Sequence, residues 1–390
     1  MSWEYKTLDQ LGEVSRGRSK HRPRNDPSLF GGKYPFIQTA DVKAANFYIT
    51  EYDTTYNEKG LAQSRLWNPG TLCITIAANI ADTGILAMDA CFPDSVMGFL
   101  PYEGIADVRF VKYCFDILQQ NCKKISQGAA QDNLSWEKLS TILFPAPPIE
   151  VQTKIADILS TYDNLIENNK KQIKLLEEAA QRLYKEWFID LRFPGHETTP
   201  IVDGVPEGWK EQSLYQIADV VMGQSPKSEY YNQVGEGLPF HQGVGSYGNR
   251  FVSDETYSTS FTRIAEAGSI LFSVRAPVGR LNLTKNKVVI GRGLAAINHR
   301  RGAQSYLFYL LKEKFFRDDI IGNGSIFASI SKEELLNQTF LVPIDSLVGQ
   351  FNGIAGGIDK KIDILSEQIR LLTEARNRLL PKLMSGEIEV

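Results

Sequence analysis

The sequence predicts an α+β fold: two similar, mixed β-rich domains separated by a long antiparallel coiled coil within the chain. Three observations support this prediction. The 390-residue chain repeats itself, each repeat ends in a heptad pattern, and short apolar runs indicate strands in both repeats. A domain takes roughly 150 residues, so a chain of this length should form more than one core. We therefore expect two domains, each followed by a long helix.

The two halves of the chain match from their openings onwards. Residues at the start of the first half recur in the same order at the start of the second half. They are Trp3 as Trp209, Leu8 as Leu214, Val14 as Val220 and Gly17 as Gly223. The closest agreement comes last, because ten residues between Asp163 and Leu183 reappear identically between Asp359 and Leu379. Such self-similarity indicates a tandem duplication with the order domain, helix, domain, helix.

Each half ends in a predicted coiled-coil helix. No Gly or Pro interrupts the chain between Pro148 and Pro194, and apolar residues there alternate spacings of four and three. The predicted interface residues of the first helix are Ile155, Leu159, Tyr162, Ile166, Asn169, Ile173, Leu176 and Leu183. Those of the second helix are Ile358, Ile362, Leu365, Ile369, Leu372 and Leu379. Gly353, Gly356 and Gly357 should weaken the first turns of the second helix.

The order of the elements predicts the direction of pairing. The first helix leads from the first domain towards the second, and the second helix starts at the second domain, so pairing within the chain must be antiparallel. About 30 to 35 helical residues at ~1.5 Å each span ~45 to 55 Å, which would place the domains at opposite ends of a stiff rod. The alternative is that each apolar stripe packs on its own domain, and the duplication favours the coiled coil.

The predicted boundaries follow from these patterns. They are residues 1–148 for the first domain, 149–191 for the first helix, 192–208 for a linker rich in Pro, Gly and Thr, 209–345 for the second domain, 346–385 for the second helix and 386–390 for a tail. Apolar runs at 72–76, 270–274 and 288–290 predict strands inside the domains. The domains are therefore expected to be β-rich with some helix.

Composition excludes several classes of protein. No apolar run reaches the ~20 residues that a bilayer span needs, and the first residues lack the pattern of a signal peptide, so we expect a cytoplasmic protein. The 4 cysteines form no CxxC pair and the 4 histidines are scattered, so no metal site is expected. A GxGxxG match at 243–248 lacks a following helical pattern. No catalytic residues are predicted.

Basic and amide side chains in both domains are candidates for DNA contact. The net charge of -3 does not exclude nucleic acid, because local patches decide. The candidates in the first domain are Arg16, Arg18, Ser19, Lys20, Arg22, Arg24, Gln38 and Asn79. Those in the second domain are Gln224, Ser225, Lys227, Gln242, Arg275, Arg280 and Arg292. Arginine can grip phosphate or pair with guanine, and amides read base edges. The alternatives are a solvated basic loop at 16–24 and ion pairs inside the second domain.

Motifs in both halves resemble one known family. They are Gly223-Gln224-Ser225-Pro226, residues 273–279 (SVRAPVG), residues 291–294 (GRGL), Pro147-Pro148 with Gln152, residues 206–209 (PEGW) and residues 383–388 (LMSGEI). Their order is similar to that of the specificity (S) subunit of Type I restriction-modification systems, over essentially the whole chain. One departure is the segment 348–350, which replaces the usual acidic-Gln ending in the second half.

The resemblance implies a non-catalytic role in DNA recognition. Each target-recognition domain would read one half of a bipartite, asymmetric site in double-stranded DNA, and the paired helices would set the spacer. Two modification (methyltransferase) subunits would bind along the helices, and restriction subunits would cut. S-adenosylmethionine, ATP and Mg are then expected on those partner subunits, with no cofactor on this chain. The alternatives are a divergent DNA methyltransferase or nuclease, and a coiled-coil scaffold that binds proteins.

Overall fold

The computed structural model describes residues 3–76, 81–125, 136–315 and 329–390, with the side chains of 120–125 excepted. Two long helices, α6 (Ile149–Phe188) and α10 (Asp345–Met384), have 40 residues each. Contacts divide the chain into unit 1, which is Met1–Lys171 with Ser366–Val390, and unit 2, which is Gln172–Leu365. Each long helix therefore contributes one half to each unit. The predicted fold class, α+β with two β-rich domains and long helices, is confirmed.

Unit 1 is built on a five-stranded sheet with the strand order β2-β8-β6-β7-β4. The strands of unit 1 are β1 (Glu4–Lys6), β2 (Gly12–Arg16), β3 (Phe30–Pro35), β4 (Tyr48–Ile49), β5 (Thr55–Tyr56), β6 (Leu72–Thr75), β7 (Thr83–Leu86), β8 (Val96–Pro101) and β9 (Phe144–Ala146). Its shorter helices are α1 (Leu8–Leu11), α2 (Thr39–Ala44), α3 (Glu58–Ala62), α4 (Val108–Ile125) and α5 (Trp136–Leu139).

Unit 2 repeats this arrangement with the strand order β13-β21-β18-β19 and adds a second sheet ordered β14-β16-β15-β20-β17. Its strands are β10 (Ile201–Val202), β11 (Val205–Pro206), β12 (Lys210–Ser213), β13 (Ala218–Met222), β14 (Tyr231–Asn232), β15 (Leu238–His241), β16 (Tyr257–Ser258), β17 (Ile264–Ala265), β18 (Ile270–Ser273), β19 (Leu281–Leu283), β20 (Val288–Ile290), β21 (Leu294–His299) and β22 (Thr339–Val342). Its shorter helices are α7 (Leu214–Ile217), α8 (Gln304–Phe315) and α9 (Lys332–Leu336).

The apolar runs form central strands that are buried on both faces. In β6, Leu72 and Ile74 belong to one hydrophobic cluster and Cys73 to another on the opposite face. In β18, Ile270 and Leu271 are divided between two clusters in the same way. Successive side chains of a strand point to opposite faces, so a continuous apolar sequence can fill both cores. This explains why these strands lack the alternation of polar and apolar residues.

Within each unit the two helix halves run antiparallel. In unit 1, Ile155 near the start of α6 shares a cluster with Leu383 near the end of α10. Further along α6, the Asn169 amide donates to Gln368 Oε1 at 3.2 Å. In unit 2, the Tyr184 ring at the end of α6 lies 5.7 Å from the Phe351 ring near the start of α10. The cluster in each unit also contains residues of its β-rich domain, so the helices pack on both the partner helix and the domain.

The predicted helix-interface residues are buried or half-buried in this arrangement. The buried ones are Ile155, Leu159, Ile166, Asn169, Ile362 and Leu365. The half-buried ones are Tyr162, Ile173, Leu176, Leu183, Ile358, Ile369, Leu372 and Leu379. The largest buried contacts at the end of α6 in unit 2 are aromatic, with Tyr184, Trp187 and Phe188 arranged around Phe351.

Two local features add to these expectations. The second helix forms across Gly353, Gly356 and Gly357, since α10 is helical from Asp345 onwards. Each glycine costs the helix about 1 kcal/mol relative to alanine. Burial of Phe351 and Ala355 in the core of unit 2 compensates for this cost. The linker 192–208 is also ordered in part, because β10 and β11 form a hairpin there and Phe193 packs on Trp209 at 5.3 Å.

An aspartate joins each long helix to its domain, buried in unit 1 and half-buried in unit 2. In unit 1, Asp163 of α6 has a side chain only 2% exposed. It accepts a hydrogen bond from the Tyr113 hydroxyl of α4 at 2.6 Å and pairs with Arg376 of α10. In unit 2, Asp359 of α10 accepts from the Tyr309 hydroxyl of α8 at 3.4 Å and pairs with Arg250. The two carboxylates are neutralised by the same kind of pair.

We predict that Arg376→Ala destabilises unit 1 by up to about 3 kcal/mol, because it leaves the carboxylate of Asp163 buried without a counter-charge. The Arg376 side chain is 24% exposed, so we expect the lower end of the range for broken buried pairs. Urea unfolding of the full chain measures the effect. The control is Arg378→Ala, whose 78% exposed side chain pairs with Glu374 and should change stability by less than about 1 kcal/mol. Equal losses in the two variants would contradict the prediction.

Candidate nucleic-acid interface

Three loops meet at one end of the main sheet of unit 2. They are residues 223–227 after β13, Gln242 after β15, and the turn 291–293 before β21. Backbone hydrogen bonds hold them together, from Gln224 N to Ile290 O at 2.9 Å, from Gly291 N to His241 O at 2.8 Å and from Gly293 N to Gln242 O at 3.2 Å. This arrangement, called the three-loop site below, contains five of the side chains predicted from the sequence to contact DNA.

Unit 1 has the same three-loop site, formed by residues 17–20, Gln38 and the turn 93–95. Arg18 N donates to Phe92 O at 3.0 Å, as Gln224 N does to Ile290 O. The turn closes identically, with Val96 N donating to Pro93 O and Leu294 N donating to Gly291 O, both at 3.0 Å. These bonds make Arg18 equivalent to Gln224, Ser19 to Ser225 and Asp94 to Arg292. The parallel pairs Phe36 with Cys91 and Phe240 with Val289 make Gln38 equivalent to Gln242.

A glycine is required where the first loop crosses the turn. A Cβ atom on Gly17 would lie 2.3 Å from the carbonyl oxygen of Pro93, and one on Gly223 would lie 2.1 Å from that of Gly291. Both distances are well inside van der Waals contact, and the obstacle is backbone in each case. This close approach explains why Gly17 and Gly223 are identical in the two halves.

The three-loop site of unit 2 is an open, polar cleft of about 710 Å³. The Ser225 hydroxyl donates to Gln242 Oε1 at 2.9 Å and accepts from the backbone N–H of Arg292 at 3.2 Å. Lys227 Nζ lies 3.8 Å from Glu229 Oε1. The cleft is lined by Gln224, Ser225, Pro226, Lys227, Ser228, Glu229, Tyr231, Gln242 and Arg292. Its donors and acceptors are of the kind that read base edges.

The basic loop of unit 1 has fewer available charges than the sequence suggests. Arg16, Arg18 and Lys20 are exposed. The Arg22 guanidinium donates to the carbonyl oxygens of Ser19 and His21 at 2.7 and 2.8 Å, and Arg24 pairs with Asp94 at 2.7 Å. Ser19 is 5% exposed and its hydroxyl lies 3.4 Å from the Tyr56 hydroxyl, so it sits inside the domain.

Two carboxylates near these loops are held in the charged form. The backbone N–H of Ser28, assisted by the Ser28 hydroxyl and His21, lowers the pKa of Asp26 to about 2. In unit 2, a hydrogen bond from the buried His241 ring lowers the pKa of Asp254. The negative charge of Asp26 therefore lies beside the basic loop at neutral pH.

Two other candidates of unit 2 lie apart from its three-loop site, and Gln38 of unit 1 makes one long side-chain contact within its own domain. Arg275 is exposed, and its backbone forms a bridge with Ser329. Arg280 lines a separate cleft with Arg250 and Lys312. The Gln38 amide is exposed and lies 3.4 Å from Thr54 Oγ1. Asn79 lies outside the described residues.

Sequence reasoning missed Asp94 and Thr262. Asp94 occupies the position of Arg292, and Thr262 donates from its hydroxyl to the Gln224 carbonyl. Asp94 could have been found, because it precedes Val96 in the first half as Arg292 precedes Leu294 in the second. Thr262 gave no signal, since its contact joins residues far apart in the sequence.

Other classes of site find no support in the described part of the chain. No group of three or more His, Cys, Asp or Glu there could hold a metal ion. No helix among those residues has the length and apolar character to cross a membrane. Cys73, Cys91 and Cys114 are free and buried, and burial raises the pKa of each thiol. The side chain of Cys122 lies outside the described residues.

Comparison with known proteins agrees with the duplication. The family profile of the Type I restriction modification DNA specificity domain matches residues 1–178 and again residues 206–375. The Type I restriction enzyme MjaIX specificity subunit of Methanocaldococcus jannaschii is 26% identical over 409 residues, covering 100% of this chain and 94% of that protein. A relative from the same organism, provisionally named the MjaX specificity subunit, is 33% identical over 67% of this chain and 62% of its own length.

A solved structure has the same fold. The S subunit of a Type I restriction-modification system from M. genitalium superimposes with a TM-score of 0.62 at 15% identity, over 98% of this chain and 96% of that one. The two family matches each cover one β-rich domain and most of the helix that follows it. The chain therefore belongs to the family of Type I restriction-modification DNA specificity subunits, the non-catalytic DNA-recognition components of these systems.

Proposed function

We propose that the chain reads a bipartite, asymmetric site in double-stranded DNA, one half with each three-loop site. The observation that carries the proposal is that one backbone arrangement occurs twice with different side chains. Ser and Gln are retained at two equivalent positions, whereas Asp94 of unit 1 stands where unit 2 has Arg292. Base recognition depends on such side chains, so equal scaffolds with unequal donors and acceptors suit two different half-sites.

In this proposal α6 and α10 set the length of the unread spacer between the half-sites. Half-sites one helical turn apart are separated by about 34 Å, and a paired helix of 40 residues at ~1.5 Å each spans about 60 Å. Asp163 of α6 and Asp359 of α10 each join a long helix to the domain of their own unit, which limits tilting there. A stiff pair of helices can therefore keep a fixed register against DNA.

The proposal assigns the chemistry to partner subunits. Two modification subunits would bind the chain and methylate adenine with S-adenosylmethionine, and restriction subunits would use ATP and Mg to cut. This chain would choose where both act. Mapping the methylated adenines in DNA from cells that carry this chain with its neighbouring subunits tests the assignment directly. A bipartite methylated motif is the expected result, and the absence of any sequence preference would overturn it.

We predict that one heptad inserted into both α6 and α10, after Asn169 and after Leu365, lengthens the unread spacer by about three base pairs and leaves both half-sites unchanged. Seven residues add about 10.5 Å to a helix, and base pairs stack at about 3.4 Å. The same methylation mapping measures the spacer. Seven residues inserted at Asp203 in the exposed hairpin turn of the linker are the matched control, and this insertion should leave the spacer as it was. An unchanged spacer in the helix variant would contradict the ruler model.

We also predict that Arg16→Gln, Arg18→Gln and Lys20→Gln together weaken binding to all DNA sequences alike. Their charges are exposed, and each phosphate contact that is lost should reduce the slope of log affinity against log salt by about 0.9. Titration of duplex DNA with the assembled complex at several salt concentrations gives the slope. Neutralising the exposed Lys360, Lys361 and Arg378 of α10 is the charge-matched control. If the triple variant has the same slope as the unaltered complex, residues 16–20 form a solvated loop that does not contact phosphate.

A further inference from the structure

Close packing and hydrogen bonds constrain the backbone at Arg292. It lies between Gly291 and Gly293, and a Cβ atom on Gly293 would come within 2.6 Å of the Gln242 carbonyl oxygen. Both glycine N–H groups donate to the adjacent strand end, at His241 O and Gln242 O. The N–H of Arg292 itself donates to Ser225 Oγ at 3.2 Å. The backbone from which this side chain projects is thus held from two neighbouring loops.

The Arg292 side chain is available to a ligand. It is exposed and lines the open cleft of the three-loop site. Glu229, the acid that lines the same cleft, lies beside Lys227, and no ion pair of the Arg292 guanidinium is found in the described part of the chain. A planar guanidinium on a fixed backbone can donate two parallel hydrogen bonds to O6 and N7 of guanine in the major groove.

The equivalent position in unit 1 has the opposite chemistry. Asp94 offers only acceptors, and one of its oxygens already accepts from Arg24 at 2.7 Å. Its other oxygen is buried. A carboxylate cannot pair with O6 and N7 of guanine, which are acceptors themselves. The Ser and Gln of the three-loop site are the same in both units. The exchange of Asp94 for Arg292 is therefore the largest chemical difference between the two sites.

We infer that position 94/292 is a specificity-determining position, at which Arg292 reads a guanine in the half-site of unit 2 and Asp94 prevents that reading in unit 1. This inference rests on the proposed function and adds to it a residue and a base. It separates Arg292, as a base reader, from Arg16, Arg18 and Lys20, whose role is contact with phosphate.

The test uses the full complex with its partner subunits and a DNA library randomised in both half-sites, with sequencing of the bound fraction. The unaltered complex should select guanine at one position of the unit 2 half-site. Arg292→Ala should lower the preference there by about 5- to 150-fold and leave every other position unchanged. Arg292→Lys keeps the charge but lacks the planar fork, so it should retain only part of the preference. The matched control is Arg301→Ala, because Arg301 is exposed in the same unit and lies beyond the other end of β21 from the cleft.

The possible outcomes separate this inference from the proposed function. If the unaltered complex selects no sequence in either half-site, the proposed function fails. If it selects both half-sites but Arg292→Ala retains the guanine preference, or weakens binding to all sequences equally, Arg292 does not read a base and the inference alone fails. Asp94→Asn is the corresponding variant of unit 1. A base preference that changes at one position of the unit 1 half-site would support the equivalence of positions 94 and 292.

Discussion

A largely buried carboxylate on each long helix is the constraint on which the rest of the structure depends. Asp163 and Asp359 lie where a charge without partners would be costly, and each is satisfied by a tyrosine hydroxyl and an arginine. Tyr113 and Tyr309 come from the domain helices α4 and α8, so each interaction links a long helix to its own domain. These directional bonds restrict rotation of the helix against the domain more than apolar packing alone would.

The duplication preserved the neutralised carboxylate but changed the source of the arginine. In unit 1 it is Arg376, which belongs to the opposite long helix, and in unit 2 it is Arg250, which belongs to the domain. The backbone position of Arg250 corresponds to Phe47 in unit 1, since Leu283 and Ile85 donate to their respective carbonyl groups. The requirement that persisted is therefore a physical one, a counter-charge for a buried acid, and two different residues meet it.

Much of the fold could be predicted because it depends on local pattern and on repetition. The heptads of α6 and α10 and the buried strands at Leu72 and Ile270 are visible as spacings and apolar runs. The candidate site was predicted less completely. The side chains of Arg22 and Arg24 are engaged inside unit 1, and the equivalence of Asp94 with Arg292 emerges from backbone bonds between distant segments. Such tertiary contacts leave no periodic trace in a single sequence.

The division of the helices between units has a consequence for synthesis on the ribosome. Unit 2 is one uninterrupted segment, whereas unit 1 needs residues 366–390 to complete a core that begins at its N-terminus. Arg376 is synthesised 213 positions after its partner Asp163, and Leu383 is further still from Ile155 along the chain. Closing so long a loop is slow compared with forming local contacts. The nascent first domain therefore carries an uncovered helix face and an unpaired acid through most of translation, and a premature stop in α10 would damage the domain that was made first.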